Sequence, residues 1–208
     1  MAKVVPFADA ARSLLRRTVV GAVDELVRAR GWAGTTMSDV AAAAGVSRQT
    51  LYNEFGSRQA LVEEYVRTEI DRMLVDVEAD VRAGSSDPTA ALRGAFGLFL
   101  RLASDEPVVR IIAAGSEGGE LIRLLTTLGR AIALGRVAAL VTEVWPQVAA
   151  DDAEVLADSL VRLAISHALF PIGTPEQTAD NVTRMLAPFV EQILAASGPG
   201  RSGGAGRG

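Results

Sequence analysis

The 208-residue chain has no cysteine and a single histidine, His167. Without thiols there is no disulfide scaffold, no thiolate nucleophile and no cysteine-ligated metal, and one imidazole leaves no cluster for zinc. A hydrolytic relay built on His167 is remote, because its only nearby hydroxyl is the adjacent Ser166, and neighbouring helical residues face apart. Uninterrupted apolar runs are missing as well. Mean hydropathy is +0.25, yet Arg, Asp or Glu breaks every segment short of the roughly 18 to 20 apolar residues of a membrane span. Met1 to Asp9 lacks the apolar stretch of a secretory signal. The glycine-rich stretch from Gly115 to Gly119 has no Lys-Ser/Thr pair to make a phosphate loop. These absences predict a soluble cytoplasmic protein without cofactor or metal and without enzymatic activity. With 49% apolar and 22% charged residues, the chain can fill one sizeable core or two small ones.

The net charge of −4 conceals a polarity. Residues 1–58 carry eight basic against five acidic groups, whereas the remainder carries thirteen against twenty. A basic head suited to a polyanion and an acidic body are the consequence.

Apolar residues recur at intervals of three and four with no strand-like alternation, which predicts an all-α fold. A first helix from about Asp9 to Arg30 carries Leu15, Val19, Ala22 and Leu26 on one stripe and stops at Gly31. A long helix beginning at Ser57 runs to about Ala83, Asp87-Pro88 opens another to about Ala103, and Asp105 with Pro107 opens a shorter one. A long apolar helix ends at Trp145, Asp151 or Asp152 caps a helix ending near Phe170, and Thr174-Pro175-Glu176-Gln177 forms a capping box for a last helix to about Ala196. The segment from Gly198 onward has six Gly among eleven residues and is expected to be a disordered tail. The predicted division is a head over 1–58, whose last helix continues to about 83, a body over 59–197, and a tail over 198–208.

The informative stretch runs from Thr35 to Phe55. Thr36 caps a short helix with Asp39 at its third position, Gly45 ends it in a left-handed conformation, and Ser47 caps a second. Two short helices joined by a tight glycine turn make a helix-turn-helix. Val40, Ala44, Val46, Leu51 and Phe55 form its small core, leaving Arg48, Gln49, Thr50, Tyr52 and Asn53 outward, where such groups reach phosphates and base edges. Residues 12–66 resemble the N-terminal domain of the TetR family of bacterial transcriptional regulators. The resemblance rests on Gly31 with Thr35-Thr36, Val40-Ala41, Ala44-Gly45-Val46-Ser47, Thr50-Leu51-Tyr52, Phe55, Ser57-Arg58 and Leu61. The family usually has Lys where this chain has Arg58.

That resemblance implies about nine helices, a homodimer, a palindromic double-stranded DNA operator and a body that senses a small molecule. It makes Thr36, Arg48, Gln49, Thr50, Tyr52, Asn53 and Arg58 the DNA-contacting candidates. Tyr52 and Arg58 are assigned to phosphate; Arg48, Gln49 and Asn53 are assigned to bases, since Arg pairs with guanine and Gln or Asn with adenine. Thr50 either meets a thymine methyl or a phosphate, or supports the cap.

In the body, Phe96, Phe99, Leu100, Leu125, Leu128, Ile132 and Trp145 exceed what a narrow helix stripe needs. They are either core or, as the resemblance implies, the walls of an effector pocket, with His167 a ligand contact, an interface residue or a core histidine. Few charges lie among them, which favours an apolar effector such as a fatty-acyl or other lipid-like compound. Val161, Ile165, Leu169, Val182, Met185, Leu186, Phe189 and Ile193 give the last two helices broad apolar faces, expected to form a four-helix bundle with a second copy. The competing reading is an all-helical carrier of apolar molecules with an incidental helix-turn-helix.

Overall fold

The structure, a computed structural model, describes residues 6–107, 109–110 and 119–196. Among the described residues there are eight helices and no strand: α1 (Phe7–Arg30), α2 (Met37–Ala43), α3 (Arg48–Phe55), α4 (Arg58–Ala83), α5 (Pro88–Asp105), α6 (Gly119–Val144), α7 (Ala150–Leu169) and α8 (Pro175–Ala195). Most of the shorter helix expected after Asp105, the glycine-rich stretch before Gly119 and the tail beyond Gly198 lie outside the described residues.

The local signals explain most boundaries. Thr36 Oγ1 accepts from the Asp39 amide at 3.2 Å while the Asp39 carboxylate accepts from the Thr36 amide at 2.9 Å, a complete capping box. Thr174 and Gln177 make the same arrangement at α8. Gly31 and Gly45 adopt φ of 76° and 67°, a region that disfavours any Cβ and ends the helix before each of them.

One local expectation needs correction. The residue preceding α7 is Ala149, which offers no side-chain cap; Asp151 and Asp152 lie within the first turn, where their charge complements the helix dipole instead. Within α6 the segment Leu125–Gly129 winds as a π turn, which no residue periodicity announces.

Head and body share one core. It runs from Val19, Val23 and Val27 of α1 through Val40, Leu51 and Phe55 of the helix-turn-helix. It then passes along Leu61, Val62, Tyr65, Val66 and Ile70 of α4 to Ala103, Leu121, Leu124 and Leu169. α4 therefore belongs to both parts, and no break in packing falls at residue 58. The expected helix-turn-helix core holds: Val40 and Leu51 are almost wholly buried and Ala44 and Val46 pack against them at half exposure.

By length and composition α6 is also apolar enough to cross a membrane, with a mean hydropathy of 1.5 in its most apolar stretch. Its arginines explain its actual place. Arg130 pairs with Asp158 of α7 at 2.8 Å, and Arg136 pairs with Asp71 and Glu78 of α4 at 2.9 and 2.7 Å, tying the helix to its neighbours α4 and α7.

Candidate functional site

The head presents α3 on its surface. Leu51 and Phe55 anchor it inward, so Arg48, Gln49, Tyr52 and Asn53 are exposed and Thr50 is half-buried. Gln49 Nε2 donates to Asn53 Oδ1 at 2.7 Å, one helical turn on, which aligns two amide groups along the outer face. Ser47 Oγ lies 2.8 Å from Thr50 Oγ1 and accepts from the Thr50 amide at 2.9 Å, so the Thr50 hydroxyl takes part in the cap. The Thr36 hydroxyl likewise donates to Asp39 at 2.6 Å.

The charge of the head is less free than composition indicates. Arg12 and Arg16 both bind Glu54, Arg16 also binds Glu64, Arg28 binds Asp24 and Arg30 binds Asp39. Burial pushes the Glu54 carboxyl up, but the two guanidinium groups on it more than offset that and hold it below its ordinary value. Among the described residues of the head, Arg17 and Arg48 are the arginines that make no ion pair, and Arg48 alone of the two stands on the exposed helix α3.

Arg58, the other residue expected at a phosphate, has its guanidinium over the Trp32 ring, the guanidinium carbon 4.0 Å from the ring centre. It donates to the Trp32 carbonyl at 2.7 Å and to the Thr35 carbonyl at 3.4 Å, and stands 3.6 Å from Glu120 of α6.

Behind the head, helices α4 to α8 enclose a cavity of about 170 Å³. Ile70, Met73, Leu74, Val77 and Val81 of α4 form one wall, and α7 contributes from Leu156 to Leu169, about 20 Å along the helix at about 1.5 Å per residue. Every lining side chain is apolar, and the one polar group among them, Trp145 Nε1, donates to the Ser85 carbonyl at 3.0 Å. Such a lining is chemically suited to hydrocarbon and offers a charged group no partner.

The chain matches two family models: bacterial regulatory proteins of the tetR family over residues 21–65, and the bacterial tetracyclin repressor C-terminal domain over residues 87–188. It is 36% identical over 193 residues to the HTH-type transcriptional regulator AlkX of Mycobacterium tuberculosis, covering 91% of this chain and 92% of that protein. The chain belongs to the TetR family. Among solved structures, the TetR family repressor AlkX from Dietzia sp. strain DQ12-45-1b, implicated in biodegradation of n-alkanes, superposes with a TM-score of 0.74 at 31% identity, covering 86% of this chain and 96% of that one. A TetR-family regulator from Pectobacterium atrosepticum shares the fold, with a TM-score of 0.62 at 19% identity over 89% of this chain and 96% of that one.

The chain is a transcriptional regulator of the TetR type, and the structure sorts the residues expected at a pocket and at an interface differently from the sequence. Phe96, Phe99, Leu125 and Trp145 line the cavity, whereas Leu100, Leu128, Ile132 and His167 do not. Leu100 is buried against α8, Ile132 packs on the shared core, and His167 meets Phe96 edge-on at 6.4 Å. Four residues expected at a dimer interface, Val161, Ile165, Leu169 and Ile193, line the cavity instead. Val182 is buried among Phe96, Leu100 and Ala179, and Leu186 and Phe189 pack half-buried within the chain. Of that set only Met185 is strongly exposed, at 58%. The physical reason is that α7 and α8 are apolar on more than one face, and sequence does not tell which face turns inward. The α4 wall of Ile70, Met73, Leu74, Val77 and Val81 is an addition from the structure, and its only signal in the sequence is recurrence at helical spacing.

Proposed function

We propose that the protein is a dimeric repressor that holds a palindromic operator and leaves it when a largely apolar, long-chain molecule occupies the cavity. The observation that carries this reading is the unbroken apolar lining of a cavity extended along α7, beneath a head whose recognition helix presents Arg48, Gln49, Tyr52 and Asn53 outward. A guest with a hydrocarbon chain gains free energy from those walls roughly in proportion to the area it removes from water, whereas a multiply charged guest would be desolvated without a partner. The relative from Dietzia implicated in n-alkane biodegradation supports the same class of guest. Release from DNA requires the guest to favour one arrangement of the heads over another, and α4, common to the cavity wall and the head core, is the element that joins them.

Thr36, Arg48, Gln49, Thr50, Tyr52 and Asn53 are the proposed DNA-facing residues, with Arg48 supplying the free charge. The carrier reading explains the cavity and leaves the exposed polar face of α3 without a role. The test is native mass spectrometry of the purified protein followed by gel shifts with and without dodecanoic acid and dodecane. Retention of either compound and loss of the shifted band support the proposal. Binding and release by hydrophilic, multiply charged metabolites alone would overturn the effector reading and leave DNA binding intact.

A further inference from the structure

Trp32, Arg58 and Glu120 form a clasp between the head and α6. Trp32 lies in the turn between α1 and α2 and is buried. One face of its ring carries the Arg58 guanidinium and its indole Nε1 donates to Glu120 Oε2 at 3.2 Å. The same Glu120 oxygen stands 3.6 Å from Arg58 Nη1, while the other Arg58 nitrogens donate to the Trp32 and Thr35 carbonyls. Arg58 thus has an aromatic surface, two carbonyls and a carboxylate around it, with Nε and one Nη committed to the carbonyls and the other Nη turned to Glu120. The side chains of Arg58 and Glu120 are nevertheless about one-third exposed, at 37% and 35%, so exchanging the carboxylate for a phosphate needs a side-chain rotation and no unfolding.

We infer that Glu120 is a positioning residue for DNA binding: it holds Arg58 against Trp32 and withholds that cation from the phosphate backbone. The inference rests on the DNA-binding reading and adds what governs one of its contacts. Glu120 is well placed for that control, because Leu125 and Gly129, a turn or two along α6, line the cavity at the π turn. A shift of α6 therefore moves the acceptor that Arg58 faces.

The test is a fluorescence-anisotropy titration of the full chain with a duplex of arbitrary sequence at several salt concentrations between about 50 and 200 mM. Glu120→Gln is expected to bind about three- to fivefold tighter at the low-salt end, the range a half-exposed ion pair commands. Its plot of log affinity against log salt should steepen by about one unit per bound chain, the signature of one added phosphate contact. Glu120→Asp should keep the original slope, and in an Arg58→Gln background the Glu120→Gln change should leave the slope where it is. A merely structural role for Glu120 would alter melting temperature without touching the slope. An unchanged slope in Glu120→Gln, or a steepening that persists without Arg58, overturns the inference while DNA binding stands. Failure of the unaltered protein to bind any duplex overturns the functional reading itself and this inference with it.

Discussion

Arg48 and Gln49 are both exposed on α3, but their environments differ. Arg48 makes no ion pair among the described residues, whereas Gln49 is already bonded to Asn53. Arg48→Ala is therefore expected to cost roughly 1 to 3 kcal/mol of operator binding and to relax preference at one position of each half-site. Gln49→Ala and Asn53→Ala should be non-additive, because each removes the other's partner, and a double-mutant cycle on a labelled operator reads both. A second residue-scale expectation concerns Glu106 at the end of α5. It is 95% buried, Arg72 donates to one of its oxygens and the other has no hydrogen-bond partner. Burial and the neighbouring Glu69 push its pKa up to about 7. The folded state thus holds a proton that the unfolded chain releases near its ordinary value of 4.5, so this group's contribution is fully present below that value and is lost as pH rises toward 7. Glu106→Gln should flatten the fall in melting temperature between pH 5 and 8, measured by circular dichroism. His167 shows the limit of reading single residues: the sequence allowed it a ligand, an interface or a core, and only packing placed it beside Phe96 and off the cavity wall.

At the scale of the element, what was legible depended on whether the signal was local. Thr36, Asp39, Gly45 and Ser47 act on backbone groups within four residues, and the ends of α2 and α3 fall where those residues put them. The π turn in α6 and the choice of inward face on α7 and α8 depend on neighbours distant in sequence, such as Ile70, which packs where a Cβ on Gly129 would stand, 2.9 Å from Ile70 Cδ1. For the same reason the sequence does not show that Ile70, Met73, Leu74, Val77 and Val81 of α4 face a cavity, nor that Val161, Ile165 and Leu169 of α7, expected at a dimer interface, line it too. Two expectations follow from this division. Thr36→Ala removes a cap acceptor and should cost about 1 kcal/mol of stability, read as a shift of the denaturation midpoint at unchanged slope. Ala133→Leu places a larger apolar side chain against the cavity from α6. It should abolish retention of dodecane in native mass spectrometry while changing stability by less than about 1.5 kcal/mol, because the void accepts the added methyl groups.

At the scale of the whole molecule, one recognition helix reads too few base pairs to select an operator, so the proposed dimeric repressor is expected to present two, about 34 Å apart or at a multiple of it, on a two-fold site. The expectation that α7 and α8 supply the dimer contact survives only if side chains left outside can make it. Ile193 and Val161 cannot, being buried in the chain's own cavity wall, and charging them would unfold the protomer rather than separate two of them. Val155 of α7 and Met185 of α8 are 55% and 58% exposed, apolar positions on these two helices that a partner can cover without repacking the interior. The double variant Val155→Glu with Met185→Glu is therefore expected to keep its helical signal and melting temperature and to elute as a monomer in size-exclusion chromatography with light scattering. Its affinity for a palindromic operator should fall by about 10²-fold or more, because the second half-site no longer binds as an intramolecular event. Affinity for a single half-site should be unchanged, since α3 lies in the head, on other helices. A double variant that remains dimeric would move the interface off this face, and a monomer that still binds the full palindrome tightly would refute two-fold recognition.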